Sequence, residues 1–195
     1  MLSDEALLSE IAGGNEAALE VLVKRHYNAV FSYICRRSGD YHRAYDLTQE
    51  TFIKMLGSLR KTRIGDGKFP NWLLKIAVNV CRDYFRSSGY KQSEKTAELA
   101  ENTAVAPNVV SILERKEEIR ALKDALASLP EEQREAVILK YYHDKKFLEI
   151  AEITGSNEST AKSRVRQGLI KLSKILGKED GSDEERQETN KVRST

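Results

Sequence analysis

Apolar residues recur along most of this chain at steps of three and four, the period of a helix that buries one side, and nowhere do they alternate as a half-buried strand would. Leu7, Leu8 and Ile11 predict a short helix over about Asp4–Ala12, ended by the pair Gly13-Gly14. Asn15 is placed to cap a long second helix with Leu19, Leu22, Val23, His26, Val30 and Ile34 inward, stopped by Gly39. Asp40 caps a third through about Leu59, expected to bury Ala44, Phe52, Met55, Leu56 and Leu59. After a polar loop, Arg60 to Lys68, a fourth helix begins near Pro70, which is tolerated in a first turn, and runs to about Arg86 with Leu73, Ile76, Ala77, Val80 and Tyr84 inward.

From Ser87 to Val110 the repeat is lost and Ser, Gly, Lys, Glu, Ala and Asn dominate, with Pro107 among them. Such a stretch reads as a linker between domains. A capping box, Ser111-Ile112-Leu113-Glu114, opens the second domain. Ile119, Leu122, Leu126 and Leu129 line its inner face, Pro130 starts another helix, and Val137, Ile138 and Tyr141 continue the core. Phe147–Ile153 then forms a short helix, Gly155 permits a tight turn, and Asn157 caps a helix from Glu158 to about Leu176: a helix-turn-helix pattern. The expected fold is all-α, two small helical domains joined by a flexible linker, with boundaries at 3–86, 87–110 and 111–176 and a disordered charged tail over 177–195.

Composition adds limits. Charged residues are 32% of the 195 and aromatics 7%, a balance that suits small helical domains better than one deep core. No apolar run approaches the roughly 20 residues of a bilayer-spanning helix, and the first residues lack a basic leader, so a cytoplasmic protein without membrane insertion is expected. Cys35 and Cys81 lie far apart within apolar helical runs and read as reduced, buried thiols. The net charge of +2 says little, because the acid-rich tail offsets a basic excess upstream.

Three polar faces carry candidate chemistry. On the last helix Ala161, Val165, Gly168, Leu169 and Leu172 fall on one side and Ser159, Ser163, Arg166, Gln167 and Lys174 on the other, with Thr160, Lys162 and Arg164 on the flanks. A basic, amide-bearing face suits a major groove, where Arg bridges guanine O6 and N7 and hydroxyls or Gln reach other base edges. The third helix places Asp46, Gln49 and Glu50 on one strip with Ile53 beside them, fit either to face solvent or to dock a basic partner helix. The fourth carries Lys75, Asn79, Arg82 and Arg86 along one edge that can follow a phosphate backbone, with Phe69 and Trp72 flanking Pro70 nearby. Aromatics beside a basic track are the parts needed to hold an unstacked strand, although Trp72 by itself fits ordinary core packing.

Asp46-Leu47-Thr48-Gln49-Glu50-Thr51-Phe52 resembles the D-L-x-Q-E-x-F segment of sigma region 2, and Phe69–Asn79 resembles the F-x-x-W-L-x-x-I-A-x-N segment that follows it. Leu129–Tyr141, Glu149–Ile153 and Thr160–Arg164 look like region 4 with its T-V-K-S-R recognition helix. In this order, over about residues 3 to 176, the chain resembles the extracytoplasmic-function (group IV) sigma factors of the sigma-70 family. That resemblance implies no enzyme, no cofactor and no metal, but a factor that binds core RNA polymerase and promoter DNA. It implies that Asp46, Gln49, Glu50 and Ile53 meet the β′ clamp helices, with the β flap a further contact on the polymerase. Trp72, Lys75, Asn79, Arg82 and Arg86 would engage the melted minus-ten element; Ser159, Thr160, Lys162, Ser163, Arg164, Arg166 and Gln167 would read the minus-thirty-five duplex. An anti-sigma factor is a further expected partner.

Two departures stand out: Lys145 and Lys146 occupy the place of the usual hydroxyl cap before Phe147, and Ser156 stands where Ile or Val usually packs. An absent cap would cost about 1 kcal/mol. The alternative is a helix-turn-helix regulator that is not a sigma factor, but the first 86 residues lack the alternating strands of a receiver domain. An enzyme is disfavoured because His26, His42 and His143 form no metal-ligand motif and no phosphate loop or nucleophile elbow occurs.

Overall fold

The computed structural model describes residues 2–59, 64–65, 67–87 and 119–177. Among these, all regular structure is helical: α1 (Asp4–Ala12), α2 (Glu16–Ser38), α3 (Tyr41–Leu59), α4 (Phe69–Arg86), α5 (119–127), α6 (Glu131–Tyr141), α7 (Phe147–Thr154) and α8 (Glu158–Ile175). The expected capping box at Ser111–Glu114, nearly all of the linker and the tail lie outside the described residues.

Local chemistry accounts for the helix ends. Asn15 Oδ1 accepts the N–H groups of Ala17 and Ala18 at the head of α2, and Asp40 Oδ1 accepts that of Arg43 at the head of α3. Each such cap offsets a donor left orphaned in the first turn. Gly39 closes α2 at φ 71° and Gly155 closes α7 at φ 70°, left-handed conformations that glycine adopts without a Cβ clash.

Helices α1 to α4 pack as one body: α2 lies against α1, α3 and α4, and α3 against α4. Leu22, Tyr33, Ile34, Met55, Phe69 and Leu73 are buried at its centre. Thr48 and Thr51 are also buried, and each hydroxyl donates to the carbonyl four residues back, which satisfies it without a partner across the core. In the second body α8 packs on α6 and α7, while Ala125, Leu126, Leu129, Val137 and Leu172 form a small separate cluster with α5.

The two bodies are not apart. Helix α7 packs on α4 and α6 on α2, and Ile138, Leu139, Ile150 and Ile153 join the same apolar core as Phe69, Leu73 and Val78. Covered on two sides, α4 buries Leu74, Val78 and Cys81 in addition to the expected stripe. Burial pushes the Cys81 thiol up to about 12, so it is an inert protonated group; Cys35 is also free but only half-buried.

Four residues expected inside lie outside. Leu56, Ile119, Tyr141 and Leu169 are 41, 61, 58 and 38% exposed, so the stripe that their helices bury is narrower than the apolar period implies.

Candidate nucleic-acid interface

The acidic strip stands open on α3. Asp46, Gln49, Glu50 and Ile53 are all exposed, and Leu56 extends the apolar edge begun by Ile53. Glu50 holds Lys54 at 2.9 Å, and Lys54 reaches toward Asp83 of α4 at 3.5 Å, so a cation borders the strip on the α4 side. The hydrogen bond that Lys54 donates to Glu50 is the main reason its ammonium is held above its ordinary value.

Helix α4 begins at a loop that is moored elsewhere. Gly67, at φ 68°, donates its N–H to Glu5 of α1 at 2.7 Å, and this bond is the main cause of the lowered Glu5 pKa. Phe69 is buried, edge-on to His26 at 5.1 Å and beside Trp72 at 5.8 Å; Trp72 itself is half-buried. Lys75, Asn79 and Arg86 are exposed as their spacing suggests.

Arg82 departs from the expected open basic edge. Its Nε and Nη2 donate to Glu135 Oε1 and Oε2 at 3.0 and 2.6 Å, and its Nη1 donates to the carbonyl of Thr154 at 3.2 Å. The second body therefore takes up Arg82, and Glu135, with no exposed surface, is wholly enclosed. Burial raises the Glu135 pKa against the opposing pull of Arg82. Around this pair Arg37 meets Glu131 at 3.1 Å, Asn71 donates to Glu149 at 2.9 Å, and the His143 ring lies edge-on to Tyr33 at 5.8 Å.

On α8, Ser159, Lys162, Ser163, Arg166 and Gln167 are exposed in one row. Asn157 Oδ1 accepts the Thr160 N–H at 2.7 Å, which fixes the start of the helix. Arg164 is turned from the row, its guanidinium 2.7 Å from Glu132 of α6. Gln133 Nε2 donates to Gln167 Oε1 at 3.0 Å and Gln167 Nε2 donates to Ser163 Oγ at 3.2 Å, so the amide of the row is held from behind. Gly168 makes this close approach possible, for a Cβ there would stand 2.7 Å from Val137 Cγ2.

The lysines ahead of α7 cost less than a missing cap implies. Glu149 Oε2 accepts the Lys146 backbone N–H at 2.8 Å, half of a capping box made without a hydroxyl. Ser156, in its turn, shares a 3.0 Å hydrogen bond with Thr154 instead of packing apolar surface.

Sequence reasoning missed Glu135, Glu149 and Asn71 as partners across the two bodies. The one local signal was that Glu135 shares its helical face with Ile138 and Leu139, both fully buried.

Comparison with known proteins agrees with this architecture. The sigma-70 region 2 family matches residues 22–90 and the sigma-70 region 4 family matches residues 119–172. An ECF RNA polymerase sigma-E factor of Haemophilus influenzae is 30% identical over 172 residues, covering 84% of this chain and 90% of the relative. Its counterpart in Escherichia coli is 33% identical over 174 residues, covering 84% and 89%. Among solved structures, the sigma factor RpoE with the anti-sigma factor NepR from Bartonella quintana aligns with a TM-score of 0.65 at 24% identity, over 83% of this chain and 98% of that one. CnrH in complex with the cytosolic domain of CnrY aligns at 0.63 and 23% identity, over 91% and 99%, and both likenesses bear on the fold alone. Matched in both halves and over most of these relatives' length, the chain belongs to the ECF RNA polymerase sigma factors, initiation factors that bind RNA polymerase and direct it to promoters.

Proposed function

We propose that residues 3–86 carry the polymerase and minus-ten contacts, residues 111–176 read the minus-thirty-five element, and 87–110 join them, with 177–195 a dispensable charged tail. The observation that carries the reading is the exposed row on α8, Ser159, Lys162, Ser163, Arg166 and Gln167, on a helix whose one acid, Glu158, sits in its first turn. Cations, hydroxyls and one braced amide on a single face supply both phosphate attraction and base-edge hydrogen bonds. The strip of Asp46, Gln49, Glu50 and Ile53 supports docking on the β′ clamp helices, since anionic groups beside exposed apolar area suit a basic partner helix. Exposed Ile170 and Ile175 of α8 offer apolar area for the β flap. Trp72, Lys75, Asn79, Arg82 and Arg86 would hold the melted minus-ten strand, with Arg82 available only after it leaves Glu135.

Two modest DNA contacts borne on one polymerase gain effective concentration, so promoter choice depends on both elements and the distance between them. The protein acts in the cytoplasm, where no helix among its described residues is long and apolar enough to cross a membrane. An anti-sigma factor would hold it inactive, as the partners in the aligned complexes suggest.

Run-off transcription on a pool of promoter fragments, with purified core polymerase and with or without the protein, tests the reading. New discrete transcripts are expected only when the protein is added. A transcript pattern unchanged by the protein would refute it.

A further inference from the structure

Gln167, in the exposed row of α8, is held at both ends of its amide. Its Oε1 accepts from Gln133 Nε2 of α6 at 3.0 Å, and its Nε2 donates to Ser163 Oγ, one turn earlier on α8, at 3.2 Å. The two helices come close enough for this because residue 168 has no side chain: a Cβ there would lie 3.6 Å from Gln133 Cβ and 3.5 Å from the Gln133 carbonyl oxygen. Gln133 itself is half-buried, and its Oε1, wholly enclosed, finds no donor among the described residues. That enclosure decides which way both amides face. Turning them over would put the Gln133 NH2 where its oxygen now lies, burying two unpaired donors instead of one unpaired acceptor, which is the costlier arrangement. The Gln167 oxygen is therefore turned toward α6 and its amide leads outward with nitrogen, while Ser163, whose oxygen takes one N–H, leads with its hydroxyl hydrogen.

We propose that Gln133 is a positioning residue for base reading: by taking the oxygen of Gln167, it makes that side chain a hydrogen-bond donor and turns its preference from adenine to guanine. The inference rests on the assignment of the α8 row to the minus-thirty-five duplex. An unrestrained glutamine pairs best with adenine, since its oxygen accepts from N6 while its nitrogen donates to N7. That fit needs both ends of the amide at one base edge, and here one end is committed to α6. Guanine asks only for donors, at O6 and N7, and the remaining N–H of Gln167 supplies one without moving. Lys162 and Arg166 carry donors alone, so the row from Lys162 to Gln167 is matched to a groove edge of acceptors. Fixing the amide before DNA arrives also spares the rotamer freedom that a long exposed side chain would otherwise lose on binding.

The test assembles the full chain with core polymerase on promoter fragments randomised through the minus-thirty-five region and sequences the fragments retained. Gln167→Ala identifies the position that Gln167 reads, as the one whose base preference it flattens. There the unaltered chain should favour guanine over adenine by at least about threefold, near the low end for one net hydrogen bond. Gln133→Leu, which frees the amide, should shift that ratio toward adenine by at least about threefold. Gln133→Glu, nearly the same shape but an acceptor, should draw the Gln167 N–H to itself, bring the oxygen outward and enrich cytosine, whose N4 is a donor. It also answers the question should leucine disturb the packing. Preferences at the other positions should hold in both variants. A residue that only supported the fold would weaken retention and change no preference, and that result overturns the proposal. So does adenine preferred by the unaltered chain, or the lack of any position that Gln167→Ala flattens, both of which leave the sigma assignment standing. Retention of no promoter fragment by any form, the unaltered chain included, removes the minus-thirty-five reading and this inference together.

Discussion

Arg82 and Glu135 are 53 residues apart in sequence, yet their side chains meet in a two-pronged ion pair, 3.0 and 2.6 Å long, that closes the seam between the two helical bodies. A buried carboxylate deprived of its cation costs about 3–5 kcal/mol, more than a modest docking interface can absorb. Arg82→Ala should therefore part the bodies before it unfolds either one. The expected result is a larger radius of gyration by small-angle scattering with unchanged helical circular dichroism. Joint replacement by Arg82→Met and Glu135→Leu should return the compact form, and a compact single variant would contradict the account.

His143 gives the same seam a pH dependence. Burial, then the nearby cations Arg36 and Lys145, lower its pKa from 6.5 to about 4. The unfolded chain thus binds a proton that the folded chain refuses between those values, so stability contributed by neutral His143 is complete above pH 6.5 and is lost as pH falls toward 4. Thermal unfolding followed from pH 7.5 to 5 should show this decline, and His143→Phe, which retains a ring for Tyr33, should reduce it. An identical pH profile in the variant would exclude His143 as its source.

Gly168→Ala should destabilise the second body. The new methyl would stand 2.7 Å from Val137 Cγ2 and 3.5 Å from the Gln133 carbonyl, and a β-branched valine has little freedom to turn away. Overpacking costs about 1–3 kcal/mol, and the better helix propensity of alanine returns about 1 kcal/mol. A net loss near 1 kcal/mol is expected by denaturant unfolding; a stabilised variant would refute the close contact of α8 with α6 as the reason for glycine here.

The two arginines of α8 should separate by salt dependence. Arg166 is exposed, so Arg166→Ala should weaken binding to minus-thirty-five duplex and lower the slope of log K against log salt by about 1. Arg164 is paired with Glu132, so Arg164→Ala should change the slope less and the melting temperature more. The reverse order would mean that Arg164 turns outward to meet DNA.

Alanines at Asp46, Gln49 and Glu50 together should lower affinity for core polymerase by at least about tenfold, given losses near 1 kcal/mol or more from each interface polar group, and leave helical content unchanged. Because all three side chains are exposed, a drop in thermal stability is not expected. Undiminished polymerase binding would move the docking surface elsewhere.

What the sequence disclosed divides along a physical line. Helix starts at Asn15, Asp40 and Asn157 and stops at Gly39 and Gly155 were readable because each depends on bonds within a few residues. The exposed row on α8 was readable because a helix's period assigns its faces. Periodicity does not give the width of the covered stripe, which is why the sequence pattern puts Leu56, Ile119, Tyr141 and Leu169 inside although all four are exposed. Nor does it name what packs across a long connection. Glu135 looks like one more solvated acid in Glu131-Glu132-Gln133-Arg134-Glu135 until α4 is brought to it. For the same reason Arg164 was grouped with its neighbours, since Glu132 lies 32 positions earlier, on another helix.

The bond that the Gly67 N–H donates to Glu5 ties the start of α4 to α1 and so fixes the length of chain between that bond and the helix. Asp4, one position away, is anchored to Arg25 at 2.6 Å and His26 at 2.9 Å, so the carboxylate that receives Gly67 is a fixed post. Insertions between α3 and α4 are therefore tolerable on the α3 side of Gly67, where added residues need only loop outward. Between Gly67 and Phe69 a single extra residue would pull the chain off its post and rotate the Phe69–Trp72 pair, so the spacing of that short stretch sets how the aromatic pair is presented.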